Sequence, residues 1–322
     1  MKAVRWLIKA PSPEDRLKRV QWGDTHFAEA LCRALALRHH VEIDHRDSWE
    51  AGRPADVVVV LRGLYRYDRS RSADPDALHV LWLISHPDDV TDSELGDYDL
   101  IFVASSSHAR DLEARFPDKV YTLLQCTNTE TFFPPLGGPR ASERSGVIFV
   151  GNTRGQRRIP VEMAEVKPGI RLHGVGWDTF GLGRQVATQR IDNHRLGELY
   201  RRARIALNDH WADMLEYGYL NNRVFDALAC GLPVLTDATP EVERIFGNAC
   251  GVCEAESDDF MAAYREMLLD YPRYLEEAAD VAGQVCREHG FGARARELEN
   301  VVMKELGNRG VPLGDRAQSL DA

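Results

Sequence analysis

LEYGYLNNRVFDALACGLPVLTD, residues 215–237, decides the fold, because it predicts a loop, a helix and a buried strand in direct succession. Small and apolar side chains dominate the second half of the predicted helix, as close packing on a sheet requires. Gly231 ends this helix in the manner of a left-handed cap, and the LPVLT that follows is short and apolar, as is typical of a buried parallel strand. The segment therefore indicates one helix–strand unit of an open α/β sheet.

The start of the same helix carries polar groups that suit a sugar-phosphate ligand. Arg223 and Asp226 lie three residues apart, which places them on one side of the first helical turn. The loop before them contains Gly218, Asn221 and Asn222. A helix N-terminus and an Arg hold phosphates, and a carboxylate accepts hydrogen bonds from two ribose hydroxyls. We therefore predict that these five residues bind a nucleotide.

Strand and helix candidates alternate on both sides of this segment, which predicts doubly wound parallel sheets. The chain of 322 residues has the length of two ordinary domains. A Pro/Gly-rich polar run at 132–146 is the best linker between them. We predict a Rossmann-like domain over 1–135, a second over 146–290, a C-terminal helix over 291–307 and a mobile tail over 308–322.

The helices and strands of this prediction follow from apolar periodicity and from the Gly, Pro and Asn residues that mark turns between them. Strands are predicted at 4–10, 41–45, 55–61, 78–84, 98–105, 119–124, 147–152, 170–176, 203–209, 232–237 and 250–253. Helices are predicted at 25–37, 108–116, 194–202, 222–230, 240–246, 256–269, 273–289 and 292–306.

Composition excludes several classes of protein. A formal net charge of −10 argues against a dedicated nucleic-acid binder. We expect neither a signal peptide nor a transmembrane segment, because no run approaches the ~18 apolar residues of a membrane span. Six scattered Cys are typical of reduced thiols in a cytoplasm. The one CxxC pair, Cys250 and Cys253, lacks a second ligand pair for zinc, so we expect both thiols to pack in a strand.

A resemblance to a known family rests on the segment quoted first. DALACGLPVLTD, 226–237, resembles the E-A-(M/L)-A-x-G-x-P-V segment of retaining, metal-independent glycosyltransferases of the GT-B fold. NNRVFDALACG, 221–231, is most similar to their CgeB-like branch. The resemblance implies two Rossmann-like domains that face a cleft, with the acceptor on the first domain and the nucleotide-sugar donor on the second. It also implies a front-face mechanism, in which the leaving phosphate oxygen takes the acceptor proton.

The loop after strand 147–152 is the predicted diphosphate loop. Related enzymes carry Gly-Arg after this strand and a Lys further on. Here Gly151 is followed by Asn152 in place of the Arg, and Arg158, six residues later, takes the place of the Lys. Arg154 and Arg157 are additional candidates. Fixed cations stabilise the departing diphosphate more than the ground state, because negative charge grows on it as the glycosidic bond breaks.

Three further strand ends supply candidate site residues. Gly23 follows the first strand and would let the backbone approach a donor phosphate; the alternative is that Asp24 or Thr25 only caps the next helix. His86 follows strand 78–84, where related enzymes have a His that hydrogen-bonds a sugar hydroxyl or orders the acceptor; the alternative is that it caps the following turn. Asn208 ends strand 203–209 and is expected to face the donor.

The chain departs from the family pattern at two carboxylates. Counting back eight residues from Asp226 gives Gly218, where the family has its first Glu. Glu216 or Asp213 are the nearby replacements. Asp226 itself is one methylene shorter than the Glu of the family. These departures leave the donor sugar open.

We expect a cytoplasmic hexosyltransferase-like enzyme that uses a nucleotide sugar, needs no other cofactor and binds no metal, because no Asp-x-Asp stands at a strand end. The acceptor is a small molecule, a glycan or a protein. One alternative is a nucleotide-sugar epimerase of the same fold, although no acid/base pair for it is evident. A second is a non-catalytic sugar-nucleotide or glycan-binding subunit, suggested by the missing first Glu.

Overall fold

The computed structural model describes residues 4–50, 53–72 and 75–310. Within these ranges the chain forms two six-stranded sheets with flanking helices, and every strand pairing in both sheets is parallel. This confirms the predicted doubly wound α/β class. Every predicted strand and helix is present, with ends that differ by a few residues.

The chain divides into two compact units. The first unit comprises the described residues up to Leu124 and those from Phe291 onward, and the second spans Gln125–Gly290. The sequence 132–146, predicted to be a linker, lies inside the second unit, and the predicted C-terminal helix lies in the first. Residues 311–322, most of the predicted tail, lie outside the described residues.

The first unit contains a sheet whose central strands are fully buried. Its elements in chain order are β1 (Arg5–Ala10), α1 (Arg16–Arg19), α2 (Gly23–Ala36), β2 (His40–His45), β3 (Val57–Arg62), β4 (Leu78–Leu83), α3 (Asp92–Gly96), β5 (Leu100–Val103), α4 (Ser106–Glu113) and β6 (Val120–Thr122). The strand order is β2-β1-β3-β4-β5-β6. The direction of winding therefore reverses between β1 and β3. Every residue of β3 and β4 is buried, and both strands are largely apolar because both of their faces are covered.

The second unit repeats the design with a different strand order. Its elements are β7 (Val147–Val150), α5 (Ile159–Val166), β8 (Ile170–His173), β9 (Val186–Thr188), α6 (Asn193–Arg202), β10 (Ile205–Leu207), α7 (Ala212–Glu216), α8 (Asn222–Ala229), β11 (Val234–Asp237), α9 (Pro240–Phe246), β12 (Cys250–Cys253), α10 (Ser257–Leu269) and α11 (Tyr271–Glu288). The order β12-β11-β10-β7-β8-β9 is the Rossmann order, with its switch point between β7 and β10.

A last helix, α12 (Phe291–Asn308), returns to the first unit and packs against α2. The ring of Phe291 meets that of Phe27 edge-on, with centroids 4.7 Å apart. Nε of the buried Arg294 donates to the Leu124 carbonyl at 2.9 Å. These contacts explain why the final helix belongs to the first unit although it follows the second in sequence.

The segment that predicted the fold has the expected local structure. Gly231 follows α8 with φ +60°, and its amide donates to the Leu228 carbonyl at 2.8 Å. This confirms the left-handed cap, and β11 is fully buried as the LPVLT pattern indicates. Cys250 and Cys253 both lie in β12, as predicted.

Several elements in the second unit have no counterpart in the prediction. Helix α5 begins at Ile159 with Pro160 in its first turn, a start signal that the Arg-rich loop before it obscures. Strand β9 is three residues long and largely exposed, so it lacks an apolar pattern. The short helix α7 of this unit, and α1 and α3 of the first unit, were not predicted either, because four or five residues carry too little periodicity.

Candidate functional site

The candidate site lies in the second unit, at the carboxyl ends of β7 and β10. Ligands bind open α/β sheets at the point where the winding reverses. Three segments meet this sheet edge: the loop after β7, the residues after β10 and the first turn of α8. Most of the predicted donor-binding residues belong to these three segments.

The loops after β7 and β8 touch through their backbones. A Cβ on Gly174, which has φ +145°, would lie 2.0 Å from the carbonyl oxygen of Gly151. The Gly151 amide donates to the His173 carbonyl at 2.8 Å. The side-chain oxygen of Asn152 accepts from the Val175 amide at 3.0 Å. Asn152 therefore holds the neighbouring loop, a structural role that the sequence did not indicate.

The Arg223 guanidinium is held by a neutral amide and an aromatic ring. Its Nη1 donates to Oδ1 of Asn208 at 3.1 Å, and its guanidinium lies 5.2 Å from the ring centre of Phe149. Within the described part of the chain, no carboxylate oxygen lies within 4.0 Å of it. A Cβ placed on Gly151 would lie 3.9 Å from this guanidinium. Burial, and then the charge of Arg158, lower the Arg223 pKa to about 10, so the side chain remains charged at neutral pH.

Arg158 is buried and already has an anionic partner. Its Nε donates to Oδ2 of Asp209 at 2.8 Å, and its Nη2 donates to the Asp209 carbonyl at 2.7 Å. The same carboxylate accepts from the Ile159 amide at 3.2 Å, at the start of α5. The guanidinium also lies 4.3 Å from the ring centre of Trp211. The ion pair anchors the start of α5. Contact between Arg158 and a diphosphate stays a prediction.

Arg154 and Arg157, the two other arginines of this loop, differ in whether they pair with a carboxylate. Arg154 and Gly155 have φ of +46° and +79°, as the two central residues of a type I′ turn require. Arg154 is exposed and has no carboxylate partner within the described ranges. Arg157 pairs with Glu165 and lies 5.7 Å from the ring centre of Phe180. Arg154 and Arg223 are thus the two cations of this group that are not paired with a carboxylate.

Asp226 lies on the buried side of α8 with both oxygens engaged. Thr127 donates its hydroxyl to Oδ1 at 2.6 Å, and Asn222 donates its amide to Oδ2 at 3.2 Å. Burial raises the pKa of Asp226 to about 8, against the opposing effects of the Thr127 hydrogen bond and the Arg223 charge. Only 6% of the residue is exposed. Contact between Asp226 and a ribose stays a prediction.

The loop before α8 is tied to strand ends by backbone and side-chain bonds. Asn221 donates its backbone N–H to Nε2 of His210 at 3.1 Å and its side-chain amide to the Asp209 carbonyl at 3.2 Å. Gly218 has φ +73° and turns the chain after α7. Asp213 and Glu216, the replacements for the missing Glu, lie on α7. Glu216 is exposed, and whether either substitutes for the missing Glu stays open.

His86 and Gly23 lie in the first unit. His86 follows β4 in a left-handed conformation, φ 56° and ψ 54°, which is uncommon outside Gly and is found most often at functional sites. It precedes a short turn whose last carbonyl, that of Asp89, accepts from the buried Arg62 at 2.8 Å. Its side chain makes no cap hydrogen bond to that turn. Gly23 begins α2, so Asp24 lies inside the first turn and does not cap it.

Sequence reasoning missed four residues that hold the site together. Asp209 and Asp237 each stand at the end of a strand, the same signal that selected Asn208, and could have been found with it. Thr127 and Gln125 carry no local signal, because they contact Asp226 and Asn222 from 99 and 97 residues away in sequence.

Two features are absent from the described residues. No group of three or more His, Cys, Asp or Glu residues is arranged to hold a metal ion. None of the helices in these ranges combines the length and the apolarity that crossing a membrane demands.

One family model matches part of this chain. Residues 157–300 match a family model described as glycosyl transferase-like. This range contains the residues Arg158, Asn208, Arg223 and Asp226. A search of curated proteins gives no match.

Several solved structures share this architecture. Sucrose-phosphate synthase from Thermosynechococcus elongatus superposes with a TM-score of 0.67 at 12% identity, covering 95% of this chain and 100% of that one. HepE of Anabaena in complex with UDP-glucose gives 0.62 at 10% identity, with coverage of 95% and 100%. Starch synthase IV from Arabidopsis thaliana, bound to ADP and acarbose, gives 0.63 at 9% identity, with coverage of 95% and 100%. At these identities the likeness shows the fold, and the predicted GT-B architecture is confirmed.

Proposed function

We propose that this protein is a glycosyltransferase that moves a sugar from a nucleotide-diphosphate donor to an acceptor hydroxyl. The observation that carries the proposal is the uncompensated Arg223 guanidinium, held by the neutral amide of Asn208 at the switch point of the second sheet. The glycosyl transferase-like match covers these residues. Proteins of the same fold bind UDP-glucose and ADP, which favours a nucleotide donor here.

In this proposal the second unit binds the donor and stabilises its departure. The bond between the anomeric carbon and the diphosphate oxygen breaks, and negative charge grows on the diphosphate. Arg223 and the exposed Arg154 stabilise that charge, because fixed cations act more strongly on the transition state than on the ground state. We propose that the reaction needs no divalent ion, because Arg223 and Arg154 can neutralise the diphosphate.

The sugar keeps its anomeric configuration in this scheme, as the resemblance to the CgeB-like branch implies. The acceptor hydroxyl oxygen bonds to the anomeric carbon on the face that the diphosphate leaves. The acceptor proton passes to the departing phosphate oxygen, so no protein nucleophile is required. We propose that His86 orders the acceptor, since its left-handed backbone fixes it just past the end of β4.

We propose that Asp226 accepts hydrogen bonds from the donor ribose. An ionised carboxylate offers about four acceptor positions, and Thr127 and Asn222 occupy two of them. The remaining positions are then free for two hydroxyls. Because burial raises the pKa of this carboxyl to about 8, donor binding is coupled to the loss of its proton.

A panel of nucleotide sugars tests the proposal. Slow release of free nucleoside diphosphate supports a transferase, conversion to an isomeric sugar nucleotide supports an epimerase, and binding without turnover supports a non-catalytic subunit. A thermal-shift screen with nucleoside diphosphates selects the base first, because a ligand at 100 times its dissociation constant adds ~2.7 kcal/mol of apparent stability.

A matched pair of variants assigns the release to this site. Arg223→Ala removes the uncompensated charge, and the release rate is expected to collapse. Arg202→Ala removes an Arg that is 75% exposed and pairs only with Glu198, and wild-type release is expected. Equal release by both variants contradicts the proposal.

A further inference from the structure

Asp237, at the end of β11, is the hub of a buried hydrogen-bond chain that leads to Arg223. It is 1% exposed. Its Oδ2 accepts from the His210 backbone amide at 2.8 Å, and its Oδ1 accepts from the Thr236 hydroxyl at 3.1 Å. Nδ1 of His210 also contacts Oδ1. Burial raises the pKa of Asp237, but the hydrogen bonds from His210 and Thr236 outweigh that effect and hold the pKa below its ordinary value.

One arm of this chain fixes the orientation of the Asn208 amide. An ionised carboxylate only accepts hydrogen bonds, so the Thr236 hydroxyl is the donor in its hydrogen bond to Asp237. The Thr236 oxygen then accepts from Nδ2 of Asn208, which lies 2.9 Å away. The amide oxygen of Asn208 consequently faces Nη1 of Arg223, at 3.1 Å. The direction of each bond follows from the one before it.

The other arm fixes the start of α8. The backbone amide of Asn221 donates to Nε2 of His210 at 3.1 Å, so this nitrogen carries no proton. Nδ1 therefore carries the ring proton and donates a hydrogen bond to Asp237. The Asn221 amide precedes α8, whose first N–H groups have no partner within the helix. The His210 side chain is fully buried, so solvent does not compete for this bond.

Arg158 and Arg223 are positioned by opposite means. Arg158 contacts the Asp209 carboxylate directly, and its charge is cancelled there. Arg223 is held by Asn208, a neutral amide, while the charge of Asp237 acts on His210 and Thr236. A neutral contact orients the guanidinium without forming an ion pair with it. Thr236 is completely buried and Asp237 nearly so, which means that neither touches a ligand.

We infer that Thr236, Asp237 and His210 are positioning residues, which hold Arg223 and the first turn of α8 in the geometry that binds the donor diphosphate. The inference rests on the proposed function of the site.

Thr236 provides the sharpest test, because Thr236→Val keeps the shape of the side chain and removes the hydroxyl. We expect about tenfold weaker nucleoside diphosphate binding by calorimetry, the loss of roughly one buried hydrogen bond. Thr236→Ser retains the hydroxyl and is expected to restore binding. Thr239→Val is the matched control, because the Thr239 hydroxyl is buried with no hydrogen-bond partner among the described residues.

A double-mutant cycle separates positioning from a general loss of structure. If Thr236 acts through Arg223, Thr236→Val weakens binding in the wild type and has no further effect in an Arg223→Ala background. In turnover, the valine variant is expected to lower the rate constant more than it raises the donor Michaelis constant. Equal losses in both backgrounds, or equal losses in the Ser and Val variants, overturn the inference.

One readout does not depend on nucleotide binding. The side-chain Nε–Hε resonance of Arg223, assigned by its loss in Arg223→Ala, is expected to shift in Thr236→Val and to stay in place in Thr236→Ser and Thr239→Val. An unmoved resonance in all three overturns the positioning chain, whatever the protein binds. A wild-type protein that binds no nucleoside diphosphate but shows the expected shifts contradicts the proposed function and leaves the chain intact.

Discussion

The affinity for a nucleotide sugar is expected to rise with pH, and Asp226 sets the size of the effect. Burial raises the pKa of this carboxyl to about 8. At pH 7 about one molecule in eleven is therefore ionised, and at pH 9 about ten in eleven. If only the ionised form accepts from the ribose hydroxyls, the apparent dissociation constant is the intrinsic one divided by that fraction. Affinity then improves about tenfold over these two pH units, or ~1.4 kcal/mol.

Calorimetric titration at pH 7, 8 and 9 measures this rise, and Asp226→Asn is the control. The amide has no carboxyl proton to lose, so its affinity is expected to be weak and independent of pH in this range. Any titration of the ligand or of other protein groups appears equally in both proteins and is removed by comparison. A wild-type affinity that does not change, or a rise of equal size in the variant, refutes the coupling of ribose binding to this carboxyl.

The same carboxyl makes an independent prediction for stability. Its pKa in the folded protein lies above that in the unfolded chain, so the folded state binds the proton more tightly. The free energy of unfolding therefore falls as pH rises from about 4 to about 8, by at most ~1.4 kcal/mol per unit from this group. Asp226→Asn removes this contribution. In urea unfolding, the free energy of unfolding of the variant is expected to increase relative to that of the wild type as pH rises.

Four further predictions concern the site and the loops around it. Arg223→Ala is expected to lower turnover by roughly 10²–10³ with a smaller change in the donor Michaelis constant, as single-turnover kinetics would show. Arg158→Ala leaves Asp209 buried without its partner. Urea denaturation is therefore expected to show a loss of about 3–5 kcal/mol in the free energy of unfolding. Near-wild-type stability would exclude a structural role for Arg158. Turnover is expected to survive EDTA, and a loss of activity that Mg²⁺ or Mn²⁺ reverses would contradict metal independence. Gly174→Ala places a methyl against a backbone oxygen at positive φ and should cost about 2–5 kcal/mol, whereas Gly183→Ala, with open space around it, should be neutral in the same measurement.

The sequence by itself determined the two parallel sheets, the helices between them and the sheet edge at which to look. Apolar periodicity, a helix cap such as Gly231 and buried runs such as LPVLT are properties of neighbouring residues, so a single chain displays them directly. The rule that ligands bind past the ends of strands then selected Asn208, Arg223 and the Arg-rich loop without any knowledge of their contacts.

Only the tertiary structure decided which of these groups is free to act. Arg158 and Arg223 look alike in sequence, yet Arg158 forms an ion pair with Asp209 from 51 residues away and Arg223 donates its hydrogen bond to the amide of Asn208. Asp226 acquires its raised pKa from burial, which outweighs the opposing hydrogen bond from Thr127, 99 residues distant. Charge compensation and desolvation depend on which atoms lie within a few ångströms of a group, and those atoms come from parts of the chain that local patterns do not connect.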